Sequence, residues 1–437
     1  MNTENTAELE ILGLRWESLP SMRNGSESAV VPMPTTDLVH IVYHGDTPFA
    51  HGRYGLHRGL EDHLTFLGSP QQHAKGYFVD CRQDSPTLYR KVALDFTPDA
   101  TRTLVIPCGV AHGFEGLEGI YTINAFRAYL PPPQYLMTDK NPWATGTDIL
   151  NFPYASSDDA LPVVEINPYP ASENFYELLT DMQRATLGGI DYEFPHTEDI
   201  VDADGKAVTL LIKKKLSPKQ QVPEWEAIAG IDGLGWKKHL LVWSNDVAGY
   251  AALADYGPIQ IIGHGERHYS TDAYGIHLEW EDRLTFVGPS AQRAIIRFID
   301  CRKGSPTQGN EVAHAFSPSA LRMLVIPPGV AHAFEGLERI FTINRPCRRC
   351  GDPDRFEPGN DVIDWPLEQR PAPAFDIAPE QDFPLSYYRA LVAAQRGYLA
   401  LQQEQVSTPA ILLVRDEDGG TRRVALRRAA TPGNAML

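Results

Sequence analysis

Short apolar stretches set the pattern of this chain. HLTFLG (63–68), GYFVDCR (76–82), RKVALDF (90–96), RTLVIP (102–107) and IYTIN (120–124) are rich in Val, Ile, Leu, Phe and Thr. Gly, Pro, Ser and Asp separate them, and runs of this length and spacing predict an antiparallel sandwich or a small barrel. A Pro-rich, acidic passage follows at 131–170, read as an ordered surface segment. Beyond it the period changes. FYELLTDMQRATL, from Phe175, puts Leu178, Leu179 and Met182 on one face of a helix. A hairpin then turns at DADG (202–205) between apolar strands. The same succession recurs later: a Pro-rich passage at 347–384, a helical pattern from Tyr387 with Leu391, Val392 and Gln395 on one face, and a hairpin turning at DEDGG (416–420).

The strand pattern itself is present twice, in register. YGLHRGLEDHLTFLG, FVDCR, SPT, LVIPCGVAHGFEGLE and IYTIN fill 54–124, and YGIHLEWEDRLTFVG, FIDCR, SPT, LVIPPGVAHAFEGLE and IFTIN fill 274–344. His277 stands 220 positions after His57. The same offset relates Glu61 to Glu281, Arg82 to Arg302, His112 to His332 and Trp16 to Trp236. An ungapped repeat of this length reflects duplication. The 437 residues suffice for two cores of ordinary size. The expected units are 1–228 and 229–437, joined by KLSPKQQVPEWEAIAG (215–230).

A net charge of −17 argues against nucleic acid or an anionic membrane as partner, because phosphate binding needs clustered Lys and Arg. The one basic run, 213–215, reads as a solvated strand end. No apolar run reaches the length of a membrane span, and the polar, acidic start MNTENTAELE is not a signal peptide. Five cysteines fit a reducing compartment, so a cytoplasmic protein is expected. Cys81 and Cys301 occupy one position of the repeat and read as small core residues. Cys347 and Cys350 form a CxxC that lacks the second ligand pair a structural zinc needs.

The order of motifs is GLH (55–57), a strand closing at Gly68, D-x-R (80–82), SPT (85–87), IP-x-G-x-AH-x-F (106–114), and an aromatic residue after a short hairpin. That order resembles the dTDP-4-dehydrorhamnose 3,5-epimerase family, cupin-type jelly rolls that act on a nucleotide-linked 4-keto sugar. The resemblance implies a mainly β chain of two tandem cupin domains, each a jelly-roll barrel followed by a helix and a hairpin. It also implies an internal pseudo-dimer, with homodimerisation open. The implied activity is epimerisation or isomerisation of a keto sugar by proton transfer, without a cofactor. His57 and His277 take the place of the family's base, and Tyr121 that of its acid. Phe341 stands at the matching position of the second half and has no proton to give, which points the reaction to the first. Tyr54, His63, His112, Arg283 and His332 are the candidates for binding the small, sugar-derived substrate. Tyr54 and Tyr274 replace the arginine that grips the family's diphosphate, and Glu61 and Glu281 replace a lysine.

A carboxylate in that last position repels a diphosphate and polarises no ketone. It does resemble part of the metallocupin motif: a His, a Glu four residues on, a Gly seven after the Glu, and a later His after P-x-G-x-x. His57, Glu61 and His112 make one such set, and His277, Glu281 and His332 the other. The motif's first histidine falls at Gly55 and Gly275. Two imidazoles and a carboxylate can hold one divalent Fe, Mn, Ni or Zn per domain with positions left open, as in a dioxygenase, decarboxylase or isomerase. In an alternating strand Glu61 and His63 face the same way, which offers His63 as a fourth ligand, replaced by Arg283 in the second half. A third reading is a binding protein that kept the fold without the chemistry. The plain alternatives stand beside these. A strand histidine is usually a hydrogen-bonded packing residue, and Tyr121 alone a packed aromatic. Arg82 and Arg302 are expected to pair with Asp80 and Asp300. His44, His51 and His264 read as loop residues, and Glu118 and Glu338 as hairpin-tip carboxylates.

Overall fold

The computed structural model describes residues 6–24, 28–33, 39–138, 140–141, 143, 148–166, 171–172, 175, 178–179, 196–202, 205–212, 225–244, 249–253, 257–352, 361–394, 410–415 and 421–426. The architecture is mostly β, in antiparallel sheets, as the alternating apolar runs require. Each half contributes a five-stranded sheet. The first runs in the order Ile149–Pro153, Arg53–His57, Val110–Glu115, Ala74–Asp80 and Lys91–Phe96. The second runs Ile363–Pro366, Ala273–Ile276, Val330–Glu335, Ala294–Asp300 and Glu311–Phe316. A nine-stranded sheet lies opposite each. In the first, Arg102–Ile106, Leu60–Leu67, Tyr121–Asn124 and Val39–Tyr43 are successive neighbours.

The two sheets close on each other because their strands alternate. Leu60–Leu67 reads LEDHLTFL, so Asp62, Leu64 and Phe66 share one face, and Glu61, His63, Thr65 and Leu67 the other. Leu64 and Phe66 meet Trp16, Leu104 and Ile106 of the large sheet, and Phe78, Phe96, Val110 and Phe114 of the small one, in a single cluster. Trp236, Leu284, Phe286, Phe298, Phe316 and Leu324 repeat it. Phe66 and Phe78 are fully buried, and each contributes about 1.5–3 kcal/mol by leaving water. The outer face of the first small sheet, with Tyr54, Leu56, Val79, Cys81 and Ala111, is covered by Leu161 and Val164 of the segment that follows the barrel.

The large sheets are not built from one half of the chain each. Ser28–Met33 pairs with Ile259–Gly263, and Gly249–Leu253 pairs with Val39–Tyr43. Each crossing strand brings a hairpin mate, Met22–Asn24 and Leu240–Ser244. The exchange is reciprocal, the arrangement that a two-fold relation between like surfaces produces. Across the junction, Leu67, Ile41 and Ile123 join Val287, Ile261 and Ile343 in one buried cluster.

Behind each barrel stand further elements. Residues 175, 178 and 179 are helical, with Phe175 buried, and residues 385–394 form a helix that buries Tyr388, Leu391 and Val392. Met182, Gln395, the turn 416–420, the basic run 213–215 and most of the 215–230 join lie outside the described residues. His196–Val201 pairs with Ala207–Ile212, and Ala410–Arg415 with Thr421–Leu426. Among the described residues no helix is long and apolar enough to cross a membrane.

The D-x-R and SPT motifs form one device, used twice. Asp300 is buried and accepts from Arg302 Nε at 2.8 Å, Arg302 Nη2 at 2.8 Å, Ser305 Oγ at 2.7 Å and Thr307 Oγ1 at 2.6 Å. Asp80 does the same with Arg82, Ser85 and Thr87. The arginine is therefore structural, as its D-x-R setting suggests. Burial alone raises the carboxyl pKa of Asp300, but these donors outweigh it and bring it down to about 2. A depressed pKa stabilises the fold fully above the unfolded value of 3.8, and the contribution is lost as pH falls through about 2. It is worth on the order of 2 kcal/mol. Asp300→Ala is expected to cost about 3 kcal/mol in urea unfolding at neutral pH, because it leaves Arg302 and two hydroxyls unpaired. The gap from the parent protein should narrow as pH falls from about 4 to about 2.

Candidate functional site

Inside each barrel the two sheets bring three ligand-type side chains together. His57 ends the Arg53–His57 strand, on the face of Gly55. His112 lies opposite both Gly55 and the core residue Phe78, so it points inward as well. Asp62 comes from the large sheet, on the face of Leu64 and Phe66. Its Oδ2 lies 3.6 Å from His57 Nε2 and 3.4 Å from His112 Nε2. The imidazoles are stacked, with centroids 5.6 Å apart and planes at 25°. The second barrel repeats this with His277, Asp282 and His332, at 3.5 and 3.4 Å, centroids 5.8 Å apart and planes at 22°. In each set one ligand atom per residue lies within 4.8 Å of the other two.

A second layer aims these groups. Asn124 Nδ2 donates to Asp62 Oδ1 at 2.8 Å, leaving Oδ2 for the imidazoles, and Asn344 donates to Asp282 at 2.9 Å. The asparagines are themselves held, because their Oδ1 accepts from the backbone of His63 and Arg283. His57 Nδ1 meets Asp148 Oδ2 at 2.9 Å, and His277 Nδ1 meets Asp361 Oδ1 at 2.6 Å. Gly109 and Gly329 donate their N–H to the carbonyls of His57 and His277, at 2.7 and 2.6 Å. Both glycines sit at φ near +78°, and a Cβ on either would lie 2.6 Å from the arginine Cγ of the D-x-R device. That is the physical content of P-x-G-x-A-H.

The charges in the site are unequal. Burial lowers the His57 pKa, but Asp148 and Asp62 outweigh it and raise it to about 10. His277 is likewise raised to about 9 by Asp282 and Asp361 against burial. Burial holds His112 down at about 4, with Asp62 pulling upward and His57 downward, and His332 is lowered in the same way. Each centre therefore pairs a proton-holding imidazole with a neutral one. His112 Nδ1 is buried with no hydrogen-bond partner among the described residues.

Several sequence-derived assignments are corrected. Glu61 and Glu281 are not in the sets: the two-residue period turns them from the face of Leu64 and Leu284. Glu61 binds His63 Nε2 at 2.8 Å and Tyr129 Oη at 3.2 Å, and Glu281 binds Arg283 Nε at 2.7 Å and Arg349 Nε at 3.2 Å. His63 and Arg283 thus serve these glutamates and are ligands of neither centre. Tyr121 does not face His57. It stands opposite Leu67, packs in the junction cluster and donates its hydroxyl to the carbonyl of Gly288, in the other half, at 3.0 Å. Phe341 packs in the same cluster, so the Tyr-to-Phe difference belongs to the junction. Tyr54 and Tyr274 are buried on the outer faces of the small sheets. His44 and His264 lie in loops just after strands, as expected, but are buried there, and His264 Nε2 pairs with Thr342 Oγ1 at 2.9 Å.

Asp62, Asp282, Asn124 and Asn344 were within reach of the repeat, since each pair is 220 apart. The metallocupin spacing drew attention one residue too early. Asp148 and Asp361 are 213 apart, because the passages after the barrels differ in length. The pointer to them is the shared D-x-x-x-aromatic-Pro of DILNFP (148–153) and DVIDWP (361–366).

No family model and no curated protein matches the chain. Among solved structures it is similar to sugar epimerases. The dTDP-4-dehydrorhamnose 3,5-epimerase of Elizabethkingia anophelis is 10% identical, with 29% of this chain and 79% of that one covered and a TM-score of 0.19. NovW of Streptomyces spheroides, a 4-keto-6-deoxy sugar epimerase, is 13% identical, with 42% and 95% covered and a TM-score of 0.24. The RmlC epimerase of Legionella pneumophila is 17% identical, with 41% and 97% covered and a TM-score of 0.22. Likeness at this level says nothing of what the present chain binds.

Tyr121→Phe is expected to cost about 1 kcal/mol, the value of one hydrogen bond, in urea unfolding. It should leave the His57 titration near 10 unmoved in histidine ring-proton NMR of the metal-free protein. A shifted His57 titration would place the tyrosine back in the site.

Proposed function

We propose that each barrel holds one divalent cation, on His57, Asp62 and His112 and on His277, Asp282 and His332. The chain is then a metal-dependent enzyme that rearranges a small, sugar-derived substrate next to a carbonyl. The observation that carries this reading is the aim of Asp62 Oδ2 and its counterpart at two Nε2 atoms, 3.4–3.6 Å away. Those separations are too long for hydrogen bonds. Ligands each about 2.0–2.2 Å from one cation lie about 3.0–3.4 Å from one another; the His112 and His332 contacts already have that spacing, and those of His57 and His277 lie just outside it. The donor set fits as well: two imidazoles and one carboxylate are the facial triad that leaves positions open. No Lys or Arg is paired with Asp62 or Asp282 among the described residues.

When bound, the cation supplies a Lewis acid for a substrate carbonyl oxygen. The residues supply the rest. Asp148 and Asp361 fix the tautomer of His57 and His277, so that the Nε2 lone pair faces the centre. Asn124 and Asn344 hold the ligating carboxylates in one rotamer. A side chain at Gly275 would start 3.3 Å from Val362 Cγ2 and 3.7 Å from His332 Nε2, and one at Gly55 3.1 Å from Ile149 Cδ1, so the place of the metallocupin motif's first histidine is walled by aliphatic side chains.

A second reading, metal-free proton transfer, is favoured by the carboxylate-bound imidazole found in both halves. There the proton-holding His57 and His277 would be the acids and the neutral His112 and His332 the bases, with no part for Tyr121. Solvent deuterium entering a 4-keto sugar after exhaustive chelation would select it.

Protein purified without an affinity tag is expected to carry two divalent cations per chain by elemental analysis. Asp62→Ala and Asp282→Ala should each remove one, and Glu61→Ala none. Retention of both cations in Asp62→Ala would sink the assignment. Proton and cation compete for His57 and His277, which hold their protons up to about 10 and about 9 in the metal-free protein. Affinity should therefore rise about tenfold per pH unit below those values, one proton leaving per cation.

A further inference from the structure

The two centres have like ligands but unlike support. Asp148 is bonded through its side chain to His57 alone among the described residues, and Arg58 N donates to its backbone carbonyl. Asp361 accepts three hydrogen bonds. Oδ1 takes His277 Nδ1 at 2.6 Å, and Oδ2 takes Leu278 N and Glu279 N at 2.7 Å each. Its carboxylate cannot rotate without losing two of them.

The turn that supplies those N–H groups is anchored in its own right. Glu279 Oε2 accepts from Arg348 Nη2 at 2.6 Å, its carbonyl accepts from Arg349 N at 2.8 Å, and Cys350 Sγ lies 3.3 Å from the Leu278 carbonyl. Arg348 is 4% exposed. It reaches Tyr387 Oη at 2.6 Å and the Cys350 carbonyl at 3.1 Å, and its guanidinium lies 4.9 Å from the ring centre of Phe383. A continuous run of contacts thus joins the 385–394 helix to His277. At the matching positions of the first half stand Gly59 and Ala128, which offer neither the carboxylate nor the guanidinium.

Resting on the metal reading above, we propose that the centre at His277, Asp282 and His332 is the tighter of the two metal sites. Arg348 and Glu279 are the positioning residues that make it so. Neither touches the cation. They act by freezing the turn that freezes Asp361, so His277 loses less freedom when it becomes a ligand. Partners bonded directly to a ligand, as Asp361 is to His277, shift metal affinity by about 10- to 100-fold, and Arg348 and Glu279 act through that partner.

The test is titration of the metal-free full chain with Co2+ alone, read by visible absorption and by calorimetry. Two steps at least about tenfold apart in affinity are expected. Asp282→Ala should delete the tighter step and Asp62→Ala the weaker. Arg348→Met should bring the tighter step down towards the weaker one, and Arg348→Lys should restore it in part. Arg348 is buried and its loss strains the fold, so Glu279→Gln, at a half-exposed position, is run beside it. That variant keeps a side chain of the same size that can still accept from Arg348, and it should weaken the tighter step, leave the weaker step unmoved and lower the melting temperature less than Arg348→Met does. Two equal steps, or a tighter step lost in Asp62→Ala, overturn the proposal alone. A tighter step unchanged in both Arg348→Met and Glu279→Gln overturns the positioning role. Failure to bind cobalt at either centre overturns the metal reading and this proposal together.

Discussion

One strand's two-residue period decides both the core and the site. Leu60–Leu67 must place Leu64 and Phe66 inward, because the barrel has no other way to bury them beside Trp16 and Phe114. Once they are inward, Asp62 is inward too, and Glu61 and His63 are outward. A carboxylate is thereby forced into an apolar interior, where an uncompensated charge costs several kcal/mol. The small sheet meets that demand from across the barrel with His57 and His112, and Asn124 satisfies the remaining oxygen. The site is thus the polar end of the same layer whose apolar end is the core.

The electrostatic balance of that layer turns on one positive charge. Two carboxylates, Asp62 and Asp148, flank His57, and the imidazole answers by keeping its proton to about 10. On the metal reading proposed above, a cation would take that proton's place, with the neutral His112 beside it as a second ligand. A site designed only to hold a proton would gain nothing from a second, neutral imidazole pointed at the same oxygen.

Much of the fold was legible because duplication printed each message twice. The short alternating strands and the D-x-R/SPT device could both be read from residue spacing. The site was legible in its histidines, which the repeat marked, and illegible in its carboxylates. Asp62 was hidden by a neighbour, Glu61, that fits a motif spacing but lies on the wrong side of the pleat. Inspecting Leu64 and Phe66 first would have separated them. Asp148 and Asp361 lie in segments of unequal length, where position in sequence says little about position in space. Tyr121 misled for a related reason: its place after the hairpin matches a family pattern. Its face, however, is set by Ile123 and Leu67, which belong to the junction.

The strand exchange that ties the halves also explains how they have diverged. Each large sheet needs strands from both halves, so changes at the junction are felt by both barrels. The junction therefore tolerates small differences such as Tyr121 against Phe341, and the inward faces of the shared strands stay alike. The segments after the barrels are under no such shared constraint. The halves part company as well in a turn and a short strand of the barrel itself: Gly59 and Ala128 stand in one, Glu279 and Arg348 in the other, and the second pair reaches the site through Asp361. The two halves share their inward histidines and aspartates and differ in what supports them, and support is where two like sites can come to do different work.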